Sequence, residues 1–170
     1  MNLQFYLEKL FTSLEFEEFR RENPDSYFAS GFVVIDKEGK EKDKVHIDYF
    51  IESTKKMFSF QLENDCEKVP IEQMPEIAPI KINDNVDFDF SKIEEMILEK
   101  MENENVKSKV QRILLSLQNK DKKNFLIGTV FISNLAMLKI TIDLEEEKII
   151  DFEKKSFMDM FKVLRKGDRK

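Results

Sequence analysis

The chain is poor in the side chains that covalent and metal chemistry need. Among 170 residues there are one histidine, one cysteine, four glycines and no tryptophan. Any Ser-His-Asp or Cys-His system would have to pass through His46. His46 shares a strand face with Asp48, a pair able to orient an imidazole but also common on exposed strands without catalysis. The single cysteine excludes an internal disulfide and fits a reducing compartment. Cys66 is flanked by Asp65 and Glu67, whose charge opposes the thiolate. One histidine and one cysteine cannot build a structural zinc site. Asp84, Asp87 and Asp89 lack the glycine and the closing glutamate of a calcium loop, so they read as a solvated acidic turn. No glycine stands in a GxGxxG or phosphate-loop pattern, which leaves nucleotides without a cradle. The expectation is a protein with no catalytic residues, no cofactor and no metal.

Long apolar runs are also missing. No segment approaches the roughly 18 uninterrupted apolar residues of a membrane span. The first ten residues include Glu8 and Lys9 and lack a basic start followed by an apolar stretch, so no secretory signal is read there. Hydrophobic content of 41% beside 36% charged residues describes a soluble globular protein. One α+β domain spanning 1–170, cytoplasmic and away from membranes, is the simplest reading.

Charge is unevenly spread. Residues 1–90 hold 11 Lys and Arg against 20 Asp and Glu, whereas residues 91–170 hold 17 against 14. The acidic half argues against a nucleic-acid surface, because phosphate contacts need clustered bases. Lys107, Lys109, Arg112, Lys120, Lys122 and Lys123 make one local basic region, diluted by Asp121. Nucleic-acid binding through residues 107–123 is kept as a minor alternative.

The periodicities predict the elements. Leu3, Leu7, Leu10 and Leu14, widened by Phe5, Tyr6, Phe11, Phe16 and Phe19, mark a first helix that Asn23-Pro24-Asp25 ends. Tyr27 to Asp36 reads as a central strand, apolar on both faces. Val45 to Glu52 alternates cleanly, and Met57 to Leu62 completes an antiparallel meander. From Glu63 to Phe90 periodicity fails around Pro70, Pro75 and Pro79, with a short edge strand possible at Pro79 to Ile82. Ser91 to Gln118 reads as the longest helix, opened by a Ser91/Glu94 capping box. Its apolar positions are Ile93, Met96, Ile97, Met101, Val106, Val110, Ile113, Leu114 and Leu117. The polar run Glu102-Asn103-Glu104-Asn105 is where such a helix would bend or break. Unbroken, it would extend roughly 42 Å at about 1.5 Å per residue and overhang a domain of this size. Strands follow at Phe125 to Ile132, Met137 to Leu144 and Ile149 to Phe152. A final helix is read from Ser156 with Phe157, Met160, Phe161 and Leu164 on one face, and residues 167–170 as a frayed tail. Phe28, Gly31 and Ile35 match Phe125, Gly128 and Ile132 in spacing, either a trace of duplication or a coincidence of apolar strands.

The resulting order is helix, three strands, long helix, two or three strands, helix, built on an antiparallel sheet. With the length and the sequence pI near 5.1, it resembles the small acidic chaperones of bacterial type III secretion and their relatives of unknown function, over roughly Leu3 to Leu164. The Glu63 to Phe90 stretch and the strand at Ile149 to Phe152 depart from that pattern. The resemblance implies a homodimer built on the long helix, with Met101, Val106, Val110, Ile113, Leu114 and Leu117 as interface residues. It also implies apolar patches that hold an extended segment of a protein partner. The leading expectation is therefore a non-enzymatic protein-interaction module. The alternative is an enzyme or small-ligand-binding protein whose site would show as converging polar groups around His46.

Overall fold

The computed structural model describes residues 2–72, 77–83 and 85–157. Eight strands form one antiparallel sheet in the order β4-β3-β2-β1-β5-β6-β7-β8. They are β1 (Ser26–Asp36), β2 (Lys44–Ile51), β3 (Lys56–Gln61), β4 (Glu67–Pro70), β5 (Val110–Lys120), β6 (Lys123–Ile132), β7 (Ala136–Asp143) and β8 (Lys148–Ser156). Helices α1 (Leu3–Phe11) and α2 (Leu14–Glu22) precede the first four strands, and α3 (Phe90–Asn103) precedes the second four. The α+β class and the antiparallel sheet agree with the periodicities. The topology is that of two helix-plus-meander halves joined through their first strands.

All three helices pack on one face of the sheet. Leu3, Leu7 and Leu10 of α1, Phe16 and Phe19 of α2, and Ile93, Ile97 and Met101 of α3 share one core with Val33, Ile47, Phe60, Leu115, Leu126 and Ile140 of the strands. Removing that apolar area from water is the main term holding the layers together. The opposite face carries a small separate cluster, Ala29, Phe50 and Met57, against which Tyr27 and Ile71 pack.

The first helix is in fact two. Ser13 stands extended between them and caps α2 by accepting from the Phe16 amide at 3.2 Å. The break rotates Leu14 out of the stripe, leaving it 78% exposed, while Phe19 is 1% exposed.

The largest correction concerns residues 91–118. Helix α3 starts at Phe90 because Asp89 caps it, accepting from the Ser91 and Lys92 amides. Glu94 reaches Lys37 at 2.7 Å and plays no part in a capping box. The helix stops at the polar run, where Asn105 takes a left-handed φ of 56° and the Val106 amide closes back on the Met101 carbonyl. Residues Val110 to Lys120 are strand β5, paired on both sides with β1 and β6. Ile113, Leu115 and Leu117 face the core, and Leu114 lies half-buried on the other side. Apolar residues at 110, 113, 114 and 117 suit helical spacing, but those at 113, 115 and 117 suit a strand equally. The two-residue Asp121-Lys122 turn, with φ of 52° and 66°, settles the choice by folding β6 back onto β5.

Other boundaries shift in the same manner. The irregular stretch contributes strand β4, and Ile82 joins the structure through one bond to the Phe28 carbonyl without forming a strand. Strand β8 runs on to Ser156, and helical backbone begins at Phe157, one residue after the expected start. The rest of that expected helix, including Met160, Phe161 and Leu164, lies outside the described residues, as do residues 167–170. The spacing match of Phe28, Gly31 and Ile35 to Phe125, Gly128 and Ile132 relates β1 to β6, whereas the topology makes β5 the counterpart of β1.

Candidate functional site

Strands β1 and β5 pair only from Gly31 opposite Leu117 to Asp36 opposite Arg112. Beyond Gly31 the register of β1 shifts at Ala29, a bulge in its pairing with β2, and the two halves of the sheet part. The proline-containing chain enters the gap. The Ile82 amide donates to the Phe28 carbonyl at 2.8 Å, and the Tyr27 hydroxyl donates to the Pro79 carbonyl at 2.8 Å. What remains open on the face opposite α1, α2 and α3 is a crevice of about 600 Å³. Ala29, Met57, Ile71, Pro79 and Ile80 give it apolar walls, and Ser30, Asp48, Ser116, Gln118 and Asn119 give it polar ones.

The polar side is organised by Asp48. Alternation along β2 that sends Ile47 and Tyr49 into the core sends Asp48 to the crevice. The Ser30 hydroxyl donates to its Oδ2 at 2.6 Å, and Ser59 also bonds the carboxylate. Burial pushes the Asp48 carboxyl up from its ordinary 3.8, against these two bonds and the field of His46, which pull it down. On the β5 side the Gln118 amide donates to the Ser116 hydroxyl at 3.1 Å. Asn119 donates to Asn124 at 2.9 Å, while its own buried Oδ1 has no hydrogen-bond partner among the described residues.

The raised acid carries a stability prediction. A carboxyl that holds its proton more tightly folded than unfolded adds stability below its unfolded value near 3.8, and that stability is lost as pH rises through the folded value. Asp48→Asn has no such proton. Denaturant unfolding of both proteins from pH 4 to pH 8 should show the asparagine variant gaining on the wild type as pH rises. A difference that stays constant with pH would contradict this account.

His46 sits apart from this group. Its Nε2 lies 2.6 Å from the Glu63 carboxylate rather than on Asp48, and its ring is 6.0 Å from that of Phe32. It lines a second, open groove of about 660 Å³ with Lys42, Lys44, Gln61, Glu63, Asn64 and Glu67. His46 and Asp48 thus share the polar face of β2, as their alternation implies, but the imidazole is held by Glu63. The serines and amides of β1 and β5 gave no signal, because only the sheet brings them beside Asp48.

The remaining sequence candidates disperse. Met101, Val110, Ile113 and Leu117 are buried in the chain's own core, Val106 packs against it, and Leu114 faces the open side. They form no common helix face, so the overhang that suggested a dimer is gone. The basic region splits: Lys107 and Lys109 precede β5, while Lys120 ends it and Lys122 and Lys123 follow, roughly 33 Å away at about 3.3 Å per residue. Arg112 is drawn to Asp36 and Glu41, and Lys123 to Asp143 and Glu146. Asp87 and Asp89 of the acidic turn serve the helix starts: Asp87 accepts from Asn2 and the Gln4 amide, and Asp89 caps α3. Asp84 lies outside the described residues. Burial is the main influence raising the Cys66 thiol, with Glu15 adding to it. Among the described residues no group of three or more His, Cys, Asp or Glu is placed to hold a metal ion, and no helix is long and apolar enough to cross a membrane.

The sheet edges are blunted. Strand β4 has four residues and ends at Pro70, and β8 presents Lys148, Asp151, Glu153, Lys154 and Lys155 with an irregular register around Ile150. Short, charged or bulged edges resist pairing with another chain.

No protein-family model and no curated protein matches this sequence. A similar fold is found in the crystal structure of a candidate lipoprotein from Clostridium difficile 630, with a TM-score of 0.53 over 83% of this chain and 90% of that one. The two sequences are 11% identical, so the likeness extends to the fold alone.

Proposed function

We propose that this chain is a non-catalytic binding protein whose ligand sits in the crevice where β1 and β5 part. The carrying observation is the convergence there of Ser30, Asp48, Ser116, Gln118 and Asn119 from three strands, opposite the apolar walls of Met57, Ile71, Pro79 and Ile80. A concave site of roughly 300–1,000 Å³ with mostly apolar lining and a few placed polar groups is the usual form of a small-molecule site. Catalysis is the weaker reading, since the one histidine is held by Glu63 and no base reaches the serines except the Asp48 carboxylate that Ser30 and Ser59 already bond. Binding of an extended peptide as an added strand is also less favoured, because both sheet edges are blunted.

Two-dimensional amide NMR with a library of small fragments tests the site. Binders are expected to move the resonances of Ala29, Ser30, Asp48, Ser116 and Gln118 together, and Ser116→Phe, which fills the crevice from the solvent-facing side of β5, should abolish those shifts. Fragment responses confined to the His46 groove or to the sheet edges would overturn the assignment.

A further inference from the structure

Resting on that crevice as the ligand site, we infer that its ligand is a small organic cation: an ammonium or comparable hydrogen-bond-donating head attached to an apolar body. Three observations converge on this chemistry. The lining includes one carboxylate, Asp48, and no lysine, arginine or histidine. The nearest ionisable neighbour along β2, His46, is held by Glu63 in the adjoining groove. An anionic ligand would therefore meet a buried like charge with nothing to offset it, and burying an unpaired charge is strongly unfavourable.

The polar wall also keeps acceptor capacity open at its carboxylate. Asp48 is an acceptor with only part of its lone-pair capacity taken by Ser30 and Ser59. An ammonium brings three donors and no acceptor, which suits a wall with spare acceptors. A cation in the crevice also brings an opposite charge directly against the half-buried Asp48, so the attraction acts where water is partly excluded and is stronger than on an open surface. The opposite wall sets the rest of the ligand. Met57, Ile71, Pro79 and Ile80 offer only apolar contact, so the body is a short alkyl or aryl group and not a sugar or a nucleotide.

Three near-isosteric compounds separate the charge from the shape: phenethylamine, 2-phenylethanol and phenylacetate, titrated separately into the full chain and followed through the amides of Ser30, Asp48 and Ser116. Phenethylamine is expected to bind about tenfold or more tightly than 2-phenylethanol, in line with the strength of hydrogen bonds to charged groups, and phenylacetate more weakly than either. Asp48→Asn should remove the amine's advantage over the alcohol, and a preference for the amine that survives this substitution would overturn the cationic head. Equal binding of amine and alcohol, or a preference for phenylacetate, would overturn the cationic head while leaving the crevice as the site. An absence of shifts at these amides with all three compounds would overturn both.

Discussion

Phe19→Ala is expected to destabilise the protein by about 3–5 kcal/mol, the range for truncating a fully buried aromatic side chain. Phe19 holds α2 to the sheet, with ring centroids 5.1 Å from Phe60, 5.7 Å from Phe58 and 6.2 Å from both Phe16 and Tyr49. These edge-on and stacked contacts add to the area term. Helix α2 has nine residues, too few to persist without tertiary packing. Its cavity would open in the middle of the aromatic cluster, where Phe60 and Phe28 are themselves fully buried and have little room to collapse. With domain stabilities of about 5–15 kcal/mol, such a loss takes from about a fifth to the whole of the total. Leu14→Ala supplies the contrast, because its side chain is 78% exposed and should change stability by no more than about 0.5 kcal/mol. Urea unfolding reads both. A shift in midpoint of similar size for the two variants would contradict the break at Ser13.

The second large effect is expected at Gly128. Across the sheet, Leu115 of β5, Gly128 of β6 and Ile140 of β7 stand in one row on the helix side. A Cβ at Gly128 would lie 2.7 Å from Ile140 Cγ1 and 3.0 Å from Leu115 Cδ2, side chains that are themselves buried. Gly128→Ala should therefore cost about 1–3 kcal/mol through overpacking. Gly31 is also on the helix side, but a Cβ there meets Leu117 and Ile47 no closer than 3.4 Å, an ordinary contact. Gly31→Ala should be neutral or stabilise by up to about 1 kcal/mol, because glycine in a strand interior gives up more backbone freedom on folding. Thermal and urea unfolding of the pair distinguish them. Equal losses at both positions would remove the account of a row closed around Gly128. The comparison also bears on the spacing match that coupled these glycines: the two occupy strands with different neighbours and different tolerances.

The crevice and the correction of residues 91–118 have a common origin. Strand β5 is needed in the middle of the sheet to join the two meanders, and its pairing with β1 covers only Gly31 to Asp36. Had Val110 to Lys120 been helical, no divergence of strands would exist beside Asp48. The site that supports the proposed function is thus a product of the segment that the sequence described least well.

Local chemistry was enough for several features. Alternation from Val45 to Glu52 determined which side of β2 faces the core, so Asp48 was on the polar face before any neighbour was known. The asparagine-rich run after Met101 ended α3, because asparagine accepts the left-handed turn that closes a helix. Scarcity of histidine, cysteine and glycine limited the chemistry independently of the fold. The tertiary structure alone decided the state of Val110 to Lys120, since its apolar spacing satisfies both periods and only the hydrogen bonds of β1 and β6 choose between them. It alone decided that Asp48 bonds Ser30 and Ser59 and shares a crevice with Ser116 and Asn119. Those residues are up to 89 positions apart (119 − 30), and no local pattern encodes a neighbourhood that depends on where two half-sheets part.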